Sequence, residues 1–317
     1  TSAQVNPTGT IPLSEAQFRA NIDRCICVDK DKNVFFLVDN DGKFAAFMLN
    51  EEADKLISLK SDINAMFNSP ILGYNSKEGI VYQFWANRDS HDVNYFDPKT
   101  DYAPTTAISS VSWDDSNFPN IEGFGVWAAK CNFTMGPDGK MYSRMLGGNL
   151  VRIDVENARG ENLTNGDLVG TKDGSAYGLV FDPQDENVFY FSNNDKHCIY
   201  KYDLRTKEWA CWAGQEGKSG YLDGPIGQAM FNKPGQMCVD SEGNIILTDT
   251  ENHCIRKITM STGYVSTLAG KPQNSGYVNG SAEDAQFKKP LGICIDNDDV
   301  MYIGDSENRA IRRLAVE

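Results

Sequence analysis

The stretch SGYLDG at residues 219–224 returns as SGYVNG at residues 275–280, a shift of 56 positions. The same shift, without a gap, superposes Ala213 on Ala269, Phe231 on Phe287, Pro234 on Pro290, Cys238 on Cys294, Asp249 on Asp305, Asn252 on Asn308 and Arg256 on Arg312. A repeat of this length marks a supersecondary unit that cannot bury its faces alone and stacks on copies of itself.

Reading back toward the N-terminus, an apolar strand, a polar turn and a second β-rich run recur six times: CICVDKDKNVFFLVD, ILGYNSKEGIVYQFW, FTMGPDGKMYS, GLVFDPQDENVFYFS, MCVDSEGNIILTD and ICIDNDDVMYIGD. With Asp29, Asn75, Pro137, Asp182, Asp240 and Asp296 as markers, the steps are 46, 62, 45, 58 and 56 residues. Each step holds roughly four short strands. Within one unit DSEGN joins strand one to two, DTENH two to three and MSTG three to four, with Gly and Asn at the tight turns and Val, Ile, Tyr and Thr in the strands. The pattern predicts an all-β fold, a six-bladed β-propeller of four-stranded antiparallel blades in a single domain over 1–317. The blades fall near 14–65, 66–120, 121–165, 170–214, 230–270 and 286–317.

Ring closure is predicted as well. The last unit stops in its third strand, while EAQF at 15–18 aligns with DAQF at 284–287, so residues 1–10 occupy the place of a missing fourth strand. Residues 2–6 are expected to pair with the C-terminal strand and hide two sheet edges.

Charge and composition exclude some partners. The 44 acidic residues outnumber the 30 basic ones, for a net charge of −14, which opposes attraction to nucleic acid or anionic lipid. No apolar run approaches the roughly 18 residues of a membrane span. The sequence opens at Thr1 without a charged and apolar leader, so a targeting segment or membrane anchor is expected upstream. Cys27, Cys238 and Cys294 each stand two residues before an Asp, and Cys198 and Cys254 share the context HCI. Copies of one position in different blades lie too far apart for a disulfide, so the cysteines are expected to be small buried apolar residues.

The last two units resemble NHL repeats, in the pattern AG…SGY…G…AxF…P…D…TDTENHCIRKI over 213–258 and its copy over 269–314. The chain is also similar to gut-bacterial cell-surface proteins in which an NHL propeller follows an IPT/TIG domain and a lipoprotein signal. That resemblance implies a cell-surface or secreted protein, anchored to the outer membrane through an N-terminal segment. It implies capture of a small-molecule or oligosaccharide ligand, with other surface uptake proteins as partners.

Propeller resemblance gathers the connections between strands two and three, and between blades, on one face around the channel. The ligand-facing candidates there are Trp85, Arg88, His91, Trp113, Trp127, Tyr177, Asn193, Asp249, Asp305 and Arg309. Eleven aromatic residues crowd 81–133, and the long 62-residue step holds an insertion from Trp113 to Trp127. Trp faces beside polar side chains stack on the C–H face of a sugar, which makes an oligosaccharide binder without a cofactor the leading expectation. The alternative is a metal-dependent hydrolase or lyase at the channel mouth. There His91, His197 and His253 would hold zinc, in a spacing similar to the peptidyl-amidating lyases, or Asn193, Asp249 and Asp305 would hold calcium as in lactonases. Arg256, Arg312 and Arg313, on third strands, are expected to cover blade surfaces with their stems.

Overall fold

The computed structural model describes residues 3–10, 20–40, 43–64, 70–86, 91–108, 132–144, 150–157, 159–164 and 178–316. These form six antiparallel sheets arranged as the blades of a propeller. The first blade runs Asn21–Val28, Val34–Asn40, Lys43–Leu49 and Leu56–Asn64, each strand paired with the next. The second is Ile71–Asn75, Ile80–Ala86, His91–Phe96 and Thr105–Ile108, and the third Thr134–Met135, Met141–Arg144, Leu150–Asp154 and Arg159–Asn162. The fourth is Leu179–Phe181, Val188–Asn193, Cys198–Asp203 and Glu208–Gly214. The fifth is Pro234–Val239, Ile245–Asp249, Cys254–Thr259 and Tyr264–Ala269.

The sixth blade closes the ring as the sequence predicts. Pro290–Ile295, Met301–Asp305 and Ala310–Val316 supply three strands, and the N-terminal strand Ala3–Thr10 pairs antiparallel with Ala310–Val316, with Val5 opposite Leu314. Val5 is fully buried in the apolar cluster that joins the fifth and sixth blades, alongside Ile255, Phe287, Ile293 and Leu314. In the last two blades the repeated connection adds a short fifth strand. Gly224–Pro225 pairs outside Tyr264–Ala269, and Gly280–Ser281 pairs outside Ala3–Thr10. Before turning inward, the chain therefore staples the outer edge of the blade it is about to build.

The first strand of each blade lies nearest the axis, where strands from different blades come very close. A Cβ on Gly178 would stand 2.6 Å from the Gly235 carbonyl oxygen of the next blade, so only glycine fits there. The apolar clusters are sandwiched between neighbouring blades. One joins the first three around Phe35, Phe84 and Phe133, and another joins the sixth to the first around Ile22, Phe36 and Ile311. No helix of the described residues is long and apolar enough to cross a membrane.

Candidate functional site

At the end of each inner strand the chain must reverse, and an Asp or Asn does this by accepting backbone N–H groups two to four residues ahead. Asp29 accepts from Asp31 and Asn33, Asp240 from Glu242 and Asn244, and Asp296 from Asp298 and Val300. These are the Asp residues that mark the repeats. Their side chains are committed to the turns, as Asp and Asn in such positions are. DKDKN at residues 29–33 is thus a turn.

The six turns ring the axial channel, which opens at this end into a cavity of about 380 Å³. Its wall carries the aromatic groups of Tyr74 and Phe181 and the polar groups of Asp29, Lys30, Ser76 and Asn297. Three equivalent thiols, Cys27, Cys238 and Cys294, line it as well, and burial raises the pKa of each, so all three stay protonated. Burial also raises Asp29 above the usual carboxylate range.

Deeper along the axis the channel is spanned by one side chain. The Gln236 amide nitrogen donates to the Ile26 carbonyl at 2.9 Å, and its oxygen accepts from the N–H groups of Ile26 and Ile293 at 3.1 and 3.0 Å. One glutamine thus satisfies inner-strand edges of the first and sixth blades from the fifth. Similar links recur around the axis. Cys25 exchanges hydrogen bonds with the Leu72 backbone, Asn132 with the Leu179 backbone, Ser192 bridges Gly178 to Gly235, and Thr248 donates to the Leu291 carbonyl. Open strand edges at the axis need such partners, because an unpaired buried backbone group costs about as much as a lost hydrogen bond.

The opposite face carries the positions expected to meet ligand. His197 and His253 each adopt the left-handed conformation at a strand-two-to-three connection, with φ of 56° and 55°. The N–H of Lys233 donates to His197 Nδ1 at 3.1 Å, and that of Lys289 to His253 Nδ1 at 3.0 Å, so each imidazole latches its blade to the next. Burial lowers the pKa of both histidines. Arg309 holds the same left-handed position in the sixth blade, with φ of 53°. Asn193 is buried and accepts from the N–H groups of Asp195 and Lys196.

Asp249 and Asp305, also expected to meet ligand, are both fully buried. Asp249 accepts from Arg256 at 2.7 Å, from Asn252 at 2.8 Å and from the Asn232 N–H at 2.8 Å, and Asp305 repeats the set with Arg312, Asn308 and Lys288. The arginines require a correction. Arg256 and Arg312 do not cover blade surfaces but are wholly buried. The Arg256 guanidinium lies 4.7 Å from the Tyr221 ring and 5.0 Å from Phe231, and also donates to Asp223 and to the Leu222 and Met230 carbonyls. Arg312 does the same between Tyr277 and Phe287, with Asn279 in place of Asp223. The tyrosine, phenylalanine, aspartate, asparagine and arginine of the repeat pattern SGYLDG…AxF…D…N…R thus meet in one knot. The carboxylates of Asp249 and Asp305 are thus each engaged by an arginine, and the described residues hold no group of three or more His, Cys, Asp or Glu able to bind a metal.

Residues 231–258, which carry half of that knot, match the family model for the NHL repeat. The chain carries an NHL repeat. The chain is 25% identical over 271 residues to SUPPRESSOR OF QUENCHING 1 of Arabidopsis thaliana, covering 79% of this chain and 25% of that protein. It is 30% identical over 152 residues to NHL repeat-containing protein 2 of Gallus gallus, covering 47% of this chain and 19% of that one. The chain thus spans a quarter or less of the length of these curated relatives. Among solved structures, a Bacteroides thetaiotaomicron protein of unknown function superposes with a TM-score of 0.81 at 21% identity, over 100% of this chain and 76% of that one. An auxiliary nutrient binding protein from Bacteroides ovatus gives 0.74 at 18% identity, over 100% and 77%. A streptogramin B lyase gives 0.56 at 12% identity, over 100% and 98%.

Of the remaining candidates, Trp85 and His91 lie in strands of the second blade, at Ile80–Ala86 and His91–Phe96. Arg88, Trp113, Trp127 and Tyr177 lie outside the described residues. Sequence reasoning missed the cavity at the turn end of the channel, although its signal was present: the C-x-D spacing of Cys27, Cys238 and Cys294 repeats in three blades that meet at the axis.

Proposed function

We propose that this NHL propeller is an extracellular or cell-surface binding protein that captures a small nutrient, of oligosaccharide class, at the turn end of its axial channel. The observation that carries the reading is the cavity. Its volume of about 380 Å³ falls within the range of about 300–1,000 Å³ of small-ligand pockets. Its wall also combines what sugars need: the rings of Tyr74 and Phe181 to stack on C–H faces, and Lys30, Ser76 and Asn297 to meet hydroxyls. The use of the same ring by an auxiliary nutrient binding protein supports the reading. A partner uptake protein at the cell surface and an anchor outside this sequence belong to the same proposal. A thermal-shift screen against neutral and acidic mono- to tetrasaccharides tests it. A saturable rise in melting temperature with one saccharide class supports capture, and no rise with any of them refutes the oligosaccharide class.

The second reading, a metal-dependent lyase or hydrolase, places the chemistry on the opposite face. It is favoured by His197 and His253, whose Nε2 atoms make no hydrogen bond among the described residues, and by the shared fold of streptogramin B lyase. Elemental analysis of purified protein separates the two. One equivalent of zinc or calcium, lost in His253→Ala, would overturn the binding reading.

A further inference from the structure

The fourth blade departs from the repeat in one chemically specific way. In the fifth blade the third strand carries Cys254 and Arg256, and the fourth carries Thr267, which bonds to Tyr221 and Asp223 inside the arginine knot. At the same positions the fourth blade has Cys198, Tyr200 and Cys211. Tyr200 has no guanidinium to offer, and its hydroxyl donates to Glu216 at 2.6 Å instead. The fourth blade therefore lacks the arginine that ties the outer strand of the fifth to its neighbours.

A pair of thiols stands in that place. Cys198 lies opposite Gly214 and Cys211 opposite Tyr200, and the register slips between them so that Trp212 is left over. Both side chains project to the side that packs on the third blade, with Tyr142, Leu150 and Tyr202. The Cys211 thiol reaches back across the slip to the carbonyl of Gly214, the residue opposite Cys198, at 3.6 Å, and the proximity of the two thiols raises the pKa of Cys198 and lowers that of Cys211. All seven described cysteines carry free thiols. Six of them are buried, and Cys211 alone is partly exposed. The thiol with the more accessible sulfur is thus also the one held closer to its nucleophilic form.

We propose that Cys198 and Cys211 are a dithiol site that closes to a cross-strand disulfide by exchange with an external disulfide, replacing covalently the cross-link that the arginine knot gives the fifth blade. The Cys211 thiolate attacks one sulfur of the external disulfide RSSR and expels RS⁻, forming a mixed disulfide. The Cys198 sulfur, giving its proton to solvent, then displaces the second RS⁻. Two protein thiols and one RSSR yield one protein disulfide and two RSH, and the external disulfide takes up the two electrons. In the fifth blade Cys254 keeps the position of Cys198 but Thr267 stands at that of Cys211, and so the pair is not a by-product of the repeat.

The test equilibrates the purified chain in glutathione buffers from reducing to oxidising, blocks free thiols and maps non-reduced tryptic peptides. Oxidation should link the peptide 197–201 to the peptide 208–218, and should raise the melting temperature by roughly 5 °C over the reduced form. That difference should vanish in Cys211→Ser. Both cysteines blocked as free thiols after oxidation would overturn the proposal, as would a glutathione adduct on Cys211 alone or a redox-dependent melting shift that persists in Cys211→Ser.

Discussion

Arg256 and Arg312 show how the repeat uses its most distinctive residues. A guanidinium buried without partners would be ruinous, and each is matched by a carboxylate at 2.7 Å, by carbonyl oxygens and by two aromatic rings. Removing one member leaves the other charge stranded. Arg256→Met should therefore cost about 3–5 kcal/mol in urea unfolding, and the double variant with Asp249→Asn should cost less than the sum of the singles. The histidines make a second prediction. His197 and His253 ordinarily titrate near 6.5, burial lowers both in the folded state, and each Nδ1 must stay unprotonated to accept from Lys233 or Lys289. The unfolded chain then binds more protons than the folded one just below pH 6.5, so stability is fully present above that pH and falls as the pH drops through it. Melting temperatures between pH 7 and pH 5 should decline in the wild type and decline less in His197→Asn/His253→Asn. An equal slope in both would remove the latch from this account.

At the scale of strands and blades, the closing strand Ala3–Thr10 is the element whose loss spreads furthest, because it completes the sixth blade and also receives Gly280–Ser281 on its outer edge. Val5→Asp places a charge in a fully buried position between the last two blades, and deletion of residues 1–9 opens the ring. Both should lower the melting temperature sharply, and an unchanged transition would refute closure by this strand. The architecture was legible in the sequence because it rests on local rules that a repeat multiplies. Turn residues at fixed offsets gave the blades, and the match of EAQF to DAQF gave the closure. The arginine knot was not legible, although all its members were. Tyr221, Asp223, Phe231, Asp249 and Arg256 are spread over 36 residues and four strand or turn segments. Only the fold shows that a third-strand arginine points inward. Its spacing alone fits a surface stem equally well. The Cys198–Cys211 contact was hidden for a similar reason: comparing cysteines between blades ruled out disulfides, while this pair lies within one blade across a register slip.

For the whole molecule the two ends of the channel have different chemistry. One end presents the repeat's own connections, where His197, His253 and Arg309 occupy one structural position in three blades, and the other holds the cavity formed by the turns. The sequence pointed to the first end, because histidines recur there at one position of the repeat. The second end is made of residues that look like ordinary turn and strand positions until six inner strands converge on one axis. Trp113 and Trp127 remain proposed as a sugar platform at the first end, and the account ranks the cavity above them. Binding isotherms decide between the ends. Ser76 and Asn297 are exposed at the rim of the cavity, so Ser76→Trp/Asn297→Trp should fold normally while closing its mouth. The measurement is calorimetric titration of the saccharide found in the screen into wild type, into that rim variant and into Trp113→Ala/Trp127→Ala. The account predicts at least a tenfold loss of affinity, about 1.4 kcal/mol, in the rim variant and little change in the tryptophan variant. Unchanged affinity with the rim closed, and loss with the tryptophans removed, would contradict it.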